Sequence, residues 1–259
     1  MQSPLQAEPP LSIGDILRTS ASVWSGHFLP FTLVTAVAFV PLLLVEQAIL
    51  GQGADEQTVQ QWNLLKVLLN LVLTFVASAP IVFGALRQMH GKPAGIGTCV
   101  RVAASRLGSV LGVALALTGL IIGVWLLSMV LSSLHPQVGA LAFTVLLLFV
   151  VVTLYVAVPV ALFERPGALA SLRRSYQLTD GCKRYLLGVL LLLTMLTLLT
   201  VEVLAQGINA VSPASLPFLE WTVSVIFGGL SAVVTAVVYQ RLRAAKERTS
   251  VADLLRAFE

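Results

Sequence analysis

The sequence predicts an all-α membrane protein: a polytopic bundle of about six transmembrane helices, arranged as three hairpins, each preceded by a cytoplasmic interfacial helix. Three observations predict it. The 259 residues are 57% hydrophobic and only 11% charged, too few charges to cover the surface of a soluble domain. Six apolar stretches are each long enough to cross a hydrocarbon core of roughly 30 Å. The basic residues fall in alternate connections between those stretches.

The six stretches are Phe28–Leu50, Leu64–Leu86, Leu107–Leu134, Val138–Phe163, Tyr185–Val211 and Leu216–Gln240. The first is too long, too far from the start and too rich in proline (Pro30, Pro41) for the core of a cleaved signal, so it is read as a retained span. Between the third and fourth stands only Leu134-His135-Pro136-Gln137. Proline cannot continue a helix there, which makes the break a tight hairpin rather than one long span. The chain thus reads as a single membrane domain. Residues 1–27 form a cytoplasmic segment with an amphipathic helix, 28–241 the six-span bundle and 242–259 a cytoplasmic amphipathic tail. In that tail Ser250 and Asp253 resemble a capping box ahead of Val251, Leu254, Leu255 and Phe258.

All of the 16 basic residues except Lys66 lie before the first span, in the second and fourth connections, or after the sixth span. The positive-inside rule makes that side cytoplasmic and places both termini there. The net charge of +4 therefore reports topology, with anionic phospholipid headgroups at the cytoplasmic face as the natural partner and nucleic acid excluded. Cys99 and Cys182 fall in the cytoplasmic segments, where thiols stay reduced, so no disulfide is expected. His27, His90 and His135 are scattered, which leaves no metal site, and no phosphate loop or nucleotide fingerprint calls for a cofactor.

The lead-in to each odd-numbered span has a similar form: Ile13-Gly14-Asp15-Ile16-Leu17-Arg18, Ile96-Gly97-Thr98-Cys99-Val100-Arg101 and Ala168-Leu169-Ala170-Ser171-Leu172-Arg173. Pro80 and Pro159 stand at matching distances before Arg87 and Arg165. The chain reads as three parallel copies of a short helix followed by a two-span hairpin. In the third lead-in Leu169, Leu172 and Tyr176 share a face, a pattern suited to a helix in the headgroup plane.

The most specific string is Pro159-Val160-Ala161-Leu162-Phe163-Glu164-Arg165-Pro166-Gly167, followed by Ala170-Ser171-Leu172-Arg173-Arg174-Ser175-Tyr176-Gln177-Leu178-Thr179-Asp180-Gly181. With the later Tyr239-Gln240-Arg241-Leu242-Arg243 it resembles the membrane-domain family attached to some bacterial glycerophosphoryl diester phosphodiesterases. The resemblance implies a six-span helical bundle in a bacterial inner membrane. It does not imply phosphodiesterase activity, which in the fused proteins belongs to a separate catalytic barrel that is absent from this sequence.

Two groups of residues are candidates for function. Glu164, Arg165, Arg173, Arg174, Lys183 and Arg184 crowd the cytoplasmic boundary and suit an anionic-lipid or partner site, with helix-end salt bridges as the structural alternative. Glu46, Lys66 and Glu202 lie near the outer ends of spans and suit an intramembrane ion site, with a Glu46–Lys66 pair expected across the first hairpin. The small residues Gly108, Gly112, Ala116, Gly119 and Gly123 in the third span, and Gly228, Gly229, Ala232 and Ala236 in the sixth, are expected to let helices approach closely. Asn70 is expected to bridge helices. No nucleophile, acid–base pair or metal centre is legible, so the expectation is a non-catalytic scaffold, anchor or lipid-associated accessory protein of the envelope, with a membrane or cytoplasmic protein as a further partner. The alternative is a small transporter or permease subunit using the intramembrane carboxylates.

Overall fold

A computed structural model describes residues 12–51, 55–91, 95–164, 167–209 and 216–256. Ten helices follow in order: α1 (Ile13–Gly26), α2 (Phe28–Gly51), α3 (Glu56–Met89), α4 (Ile96–Ser105), α5 (Leu107–Leu134), α6 (Pro136–Thr153), α7 (Ala157–Phe163), α8 (Ala168–Thr179), α9 (Lys183–Asn209) and α10 (Leu216–Arg256). There is no strand among the described residues. Six helical segments are long and apolar enough to cross a membrane, with α6 and α7 together forming the fourth.

The order is short, long, long, three times over, and the packing follows it in a circle. Each short helix rests on the second long element of the trio before it: α4 on α3, α8 on α7 and, closing the circle, α1 on α10. Each first long helix meets the same neighbour, α5 on α3, α9 on α6 and α2 on α10. The second members α3, α6–α7 and α10 make up the interior. Burial is greatest in two of them, 56% of the apolar window of α6–α7 and 50% of that of α10, against 33% for both α3 and α5, 22% for α2 and 11% for α9. The outward side chains are Leu29, Val37 and Leu44 on α2 and Leu192, Met195, Leu198 and Leu199 on α9. A surface of that kind is stable only against lipid.

The hairpin after α5 turns on one residue. His135 is extended (φ −156°, ψ 116°) and Pro136 opens α6, the position where its missing N–H and fixed φ cost least. The two helices close so tightly that Gly139 faces the Ser132 backbone, where an added Cβ would collide. Ser128 Oγ donates to the Gly139 carbonyl at 3.1 Å.

Several expectations need correction. α10 runs unbroken from Leu216 to Arg256, so no separate helix begins at Ser250. Arg241 to Arg248 contains only good helix formers and no breaker. The tail side chains Val251, Leu254, Leu255 and Phe258 lie outside the described residues, as do residues 1–11. Of the glycine stripe in α5, only Gly112 meets a neighbour, Ala168 of α8. Gly108, Gly119 and Gly123 have open space where a Cβ would stand, because α5 turns that face away from the bundle. The stripe in α10 does serve close packing, with Gly228 and Gly229 against Thr35 and Gly229 also against Trp24. Asn70 bonds within its own helix, accepting from Thr74 Oγ1 at 3.3 Å.

These two glycine environments predict opposite outcomes. Gly139→Ala drives a methyl into Ser132 and is expected to cost about 1–3 kcal/mol. Gly119→Ala enters open space and should be neutral or slightly stabilising through helix propensity. Thermal unfolding of the purified protein in detergent compares the two.

Candidate functional site

The site is built from a helix that breaks. Within the fourth apolar segment the backbone leaves the helix at Leu154–Val156. Pro159, one turn later, has no N–H for the Tyr155 carbonyl, and its ring crowds that oxygen. The turn tightens, and the Ala157 amide bonds the Leu154 carbonyl at 3.1 Å instead of reaching back to Thr153. The Thr153 carbonyl is thereby left without a helical partner at membrane depth, where an unmet backbone group costs several kcal/mol.

α8 supplies the partners. Ser175 Oγ donates to the Thr153 carbonyl at 3.1 Å and Thr179 Oγ1 at 3.0 Å. Ser171, Ser175 and Thr179 are all fully buried. The face of α8 against the bundle therefore carries the small hydroxyls together with the fully buried Leu178. Leu169 is 79% exposed and Tyr176 47%, so two of the three residues of the expected apolar face look outward. Gly167, at φ +83°, makes the reversal into α8 that a side chain would strain, and its carbonyl accepts from Ser171 Oγ at 2.7 Å.

Beside this contact stands Glu164. Its Oε2 accepts from Arg174 Nε at 2.9 Å and its Oε1 from the Tyr239 hydroxyl at 3.0 Å. One carboxylate thus joins α7, α8 and α10. Aromatic rings continue the junction: Phe163 stacks on Phe83 (5.9 Å between centroids) and on Tyr239 (6.3 Å). Phe83, Phe163 and Tyr239 come one from each inner element. The Arg87 guanidinium lies 5.8 Å over the Phe83 ring, within cation–π range.

The boundary cluster accordingly divides. Glu164 and Arg174 belong to this interior junction. Lys183 Nζ sits over the rings of Tyr176 (4.6 Å) and Phe149 (5.4 Å) and 3.6 Å from Asp180. Arg173 and Arg184 are exposed and form no ion pair among the described residues. Arg165 lies outside the described residues.

On the opposite side the first hairpin brings its charges together as expected. Lys66 Nζ is 2.5 Å from Glu46 Oε1. Its second carboxylate is Glu220 of α10, at 3.8 Å, and not Glu202. Glu202 accepts from Gln206 Nε2 on its own helix at 2.9 Å and is in no ion pair among the described residues. The contact with Glu220 could have been anticipated only from the packing of α10 on α2 and α3.

Near the helix break a cavity of about 210 Å³ is bordered by the hydroxyl-bearing Thr74, Ser78, Tyr155, Ser231 and Thr235 and otherwise by apolar groups. No charged side chain borders it. No group of three or more His, Cys, Asp or Glu gathers as metal ligands among the described residues. Burial pushes the thiols of Cys99 and Cys182 up from their ordinary range, with Arg87 pulling the first back and Lys246 the second, which makes both poor nucleophiles at neutral pH.

No protein-family model matches the chain, and no curated protein or solved structure matches it.

Two predictions follow from these contacts. Ser175→Ala or Thr179→Ala alone leaves the Thr153 carbonyl one donor, whereas the pair together orphans it. The double variant should lose about 1–3 kcal/mol, more than the two single losses added, in detergent unfolding curves. At the other side, Lys66→Ala strands a half-buried carboxylate and should lower the melting temperature more than Glu220→Ala, which removes only the distant, exposed partner.

Proposed function

We propose that this chain is a non-catalytic integral membrane protein that associates with anionic phospholipid and serves as a scaffold or accessory protein of the bacterial envelope. It would sit in the inner membrane with both termini cytoplasmic and hold a membrane or cytoplasmic protein partner. The single observation that carries the lipid reading is the outer face of α8 and the start of α9. Arg173 and Arg184, exposed and without a carboxylate, stand there with the exposed Leu169, Tyr176 and Tyr185. Arginine beside aromatic and apolar side chains at the edge of a lipid-facing belt is the chemistry of a headgroup contact.

The circular packing of the short helices supports reading the chain as three copies of one unit, and the contacts of Glu164, Arg174, Ser175, Thr179 and Tyr239 give a structural reason for the string that resembles the phosphodiesterase-associated membrane domain. On this reading those residues build the platform, and the outward arginines meet the lipid. The transporter reading has less support. Glu46 and Lys66 neutralise each other, Glu202 stands apart, and the inner cavity holds no charge.

Native-membrane purification followed by lipid mass spectrometry tests the proposal. Arg173→Ala with Arg184→Ala should reduce co-purifying anionic phospholipid by about tenfold or more, in line with ~1 kcal/mol for each of the two cations near the surface, and leave zwitterionic lipid unchanged. Equal anionic lipid in variant and parent would refute it. Arg174→Ala would be a poor probe, because its loss frees Glu164 as well.

A further inference from the structure

The threefold packing lacks one contact. Two of the short helices also touch the first long helix of the trio before them, α8 on α5 and α1 on α9. α4 makes no comparable contact with α2. Between those two helices, over α3, lies a cavity of about 470 Å³, within the range of roughly 300–1,000 Å³ usual for small-molecule sites. We propose that this cavity holds a single-chain lipid with an uncharged hydroxyl headgroup, of the monoacylglycerol class, its head at His27 and Gln88 and its chain along Val34 and Ile81. The site is separate from the arginine rim, since neither Arg173 nor Arg184 lines it.

Two atoms define the polar end. His27 and Gln88 both line the cavity, and His27 Nδ1 and Gln88 Oε1 are both buried without a hydrogen-bond partner. They therefore do not bond each other. A buried polar atom left unmet is costly. A hydroxyl donates and accepts at once, so a headgroup with one or two hydroxyls can accept from an Nδ1 proton and donate to Oε1. His27 is placed by the turn from α1 into α2, where its backbone N–H bonds the Trp24 carbonyl at 3.1 Å. Gln88 stands in the last turn of α3, with Nε2 close to Gly26, where an added Cβ would be 3.4 Å from it. No Lys, Arg, Asp or Glu lines the cavity. Arg87, whose charge reaches the Cys99 thiol, lies over the Phe83 ring and outside the lining. The lining thus suits a hydroxyl and brings no cation to a phosphate or carboxylate.

Polarity then falls with depth. α2 leaves the basic side and α3 returns to it. Val34 is seven residues beyond His27 and Ile81 seven before Gln88, about 10 Å deeper along each helix. Between those levels the wall is Pro30 and Phe31 on α2 and Gly84 on α3. The bare backbone of Gly84 forms the floor, where an added Cβ would stand 3.2 Å from the Phe31 ring and 3.3 Å from the Cys99 thiol. Ile96, at the start of α4, lines the cavity and is exposed, as are Leu29 and Leu33 on α2, so the mouth opens among lipid-facing side chains. A hydroxyl at the headgroup level with hydrocarbon below it is the order of groups in a lipid. Water suits the polar end alone, because the deeper walls offer it no partners.

Photolabelling of the detergent-purified full chain tests the proposal. The probe is a monoacylglycerol with a diazirine in its chain, and labelled peptides are mapped by mass spectrometry. The expected result is saturable labelling confined to α2, α3 and α4, suppressed by excess unlabelled monoacylglycerol. A fatty acid, a lysophosphatidylglycerol and an alkane of the same chain length should compete poorly. His27→Phe with Gln88→Met should weaken binding at least about tenfold, the loss expected for two hydrogen bonds. The same variant should melt no lower than the parent, because apolar atoms replace unmet polar ones. Ile96→Trp should reduce labelling by filling the mouth. Arg173→Ala with Arg184→Ala should leave labelling within about twofold, so this site and the anionic-lipid rim fail or stand separately. Scattered or unsaturable labelling, equal competition by the fatty acid, the lysophospholipid or the alkane, or unchanged affinity in a folded His27→Phe, Gln88→Met variant would overturn the proposal. Should that variant not fold, Gln88→Met alone and Ile96→Trp, checked by their melting curves, carry the same comparison, and full labelling in both would overturn it equally.

Discussion

A backbone carbonyl in hydrocarbon cannot turn to water, and much of this architecture answers that constraint at one atom. Pro159 and the turn before it release the Thr153 carbonyl, and Ser175 and Thr179 take it up. Because those hydroxyls belong to α8, a helix that could have floated in the headgroup plane is pulled against the bundle. Its position sets where Arg174 can reach Glu164, and Glu164 in turn holds Tyr239 of α10. A local defect in one helix has become the joint that fixes three others. The short α7, buried along nearly its whole length, is the consequence: broken from α6, it is free to occupy the middle of the bundle.

Much of the scaffold was legible in the sequence, because lipid imposes simple rules. Length and apolarity marked the six spans, His135-Pro136 marked the tight turn, and neighbouring spans carrying Glu46 and Lys66 implied their ion pair. What escaped were contacts set by packing between distant segments. Tyr239 meets Glu164 across 75 residues, and Glu220 reaches Lys66 from the last helix. Nothing in either local sequence signals these meetings. The amphipathic face of α8 misled for a physical reason. Hydrophobic periodicity shows which side is apolar, but when the solvent is lipid the apolar side can face outward and the hydroxyl side inward. The glycines of α5 misled similarly, since small residues permit close approach without requiring it.

The two sides of the bundle use charge differently. At the side away from the basic clusters Lys66 lies between the two carboxylates of Glu46 and Glu220. At the basic side some cations are held by specific structural contacts: Arg174 by a carboxylate, Lys183 by rings and a carboxylate, Arg87 by a ring. Arg173 and Arg184 on the rim form no ion pair among the described residues. Sorting cations by what already holds them is more informative than counting them, because the count alone makes the whole boundary look like one site.

The closing of α1 onto α10 has a consequence for biosynthesis. Membrane chains are inserted in order, and the first short helix emerges long before the last long one. Until α10 is in place, α1, with its buried Ile16 and Val23, has only its lesser contacts with α2, α3 and α9. The ring can therefore be completed only after the whole chain has been inserted. Its first and last elements act together as a latch, so a stalled or shortened product would remain open and recognisable to quality control.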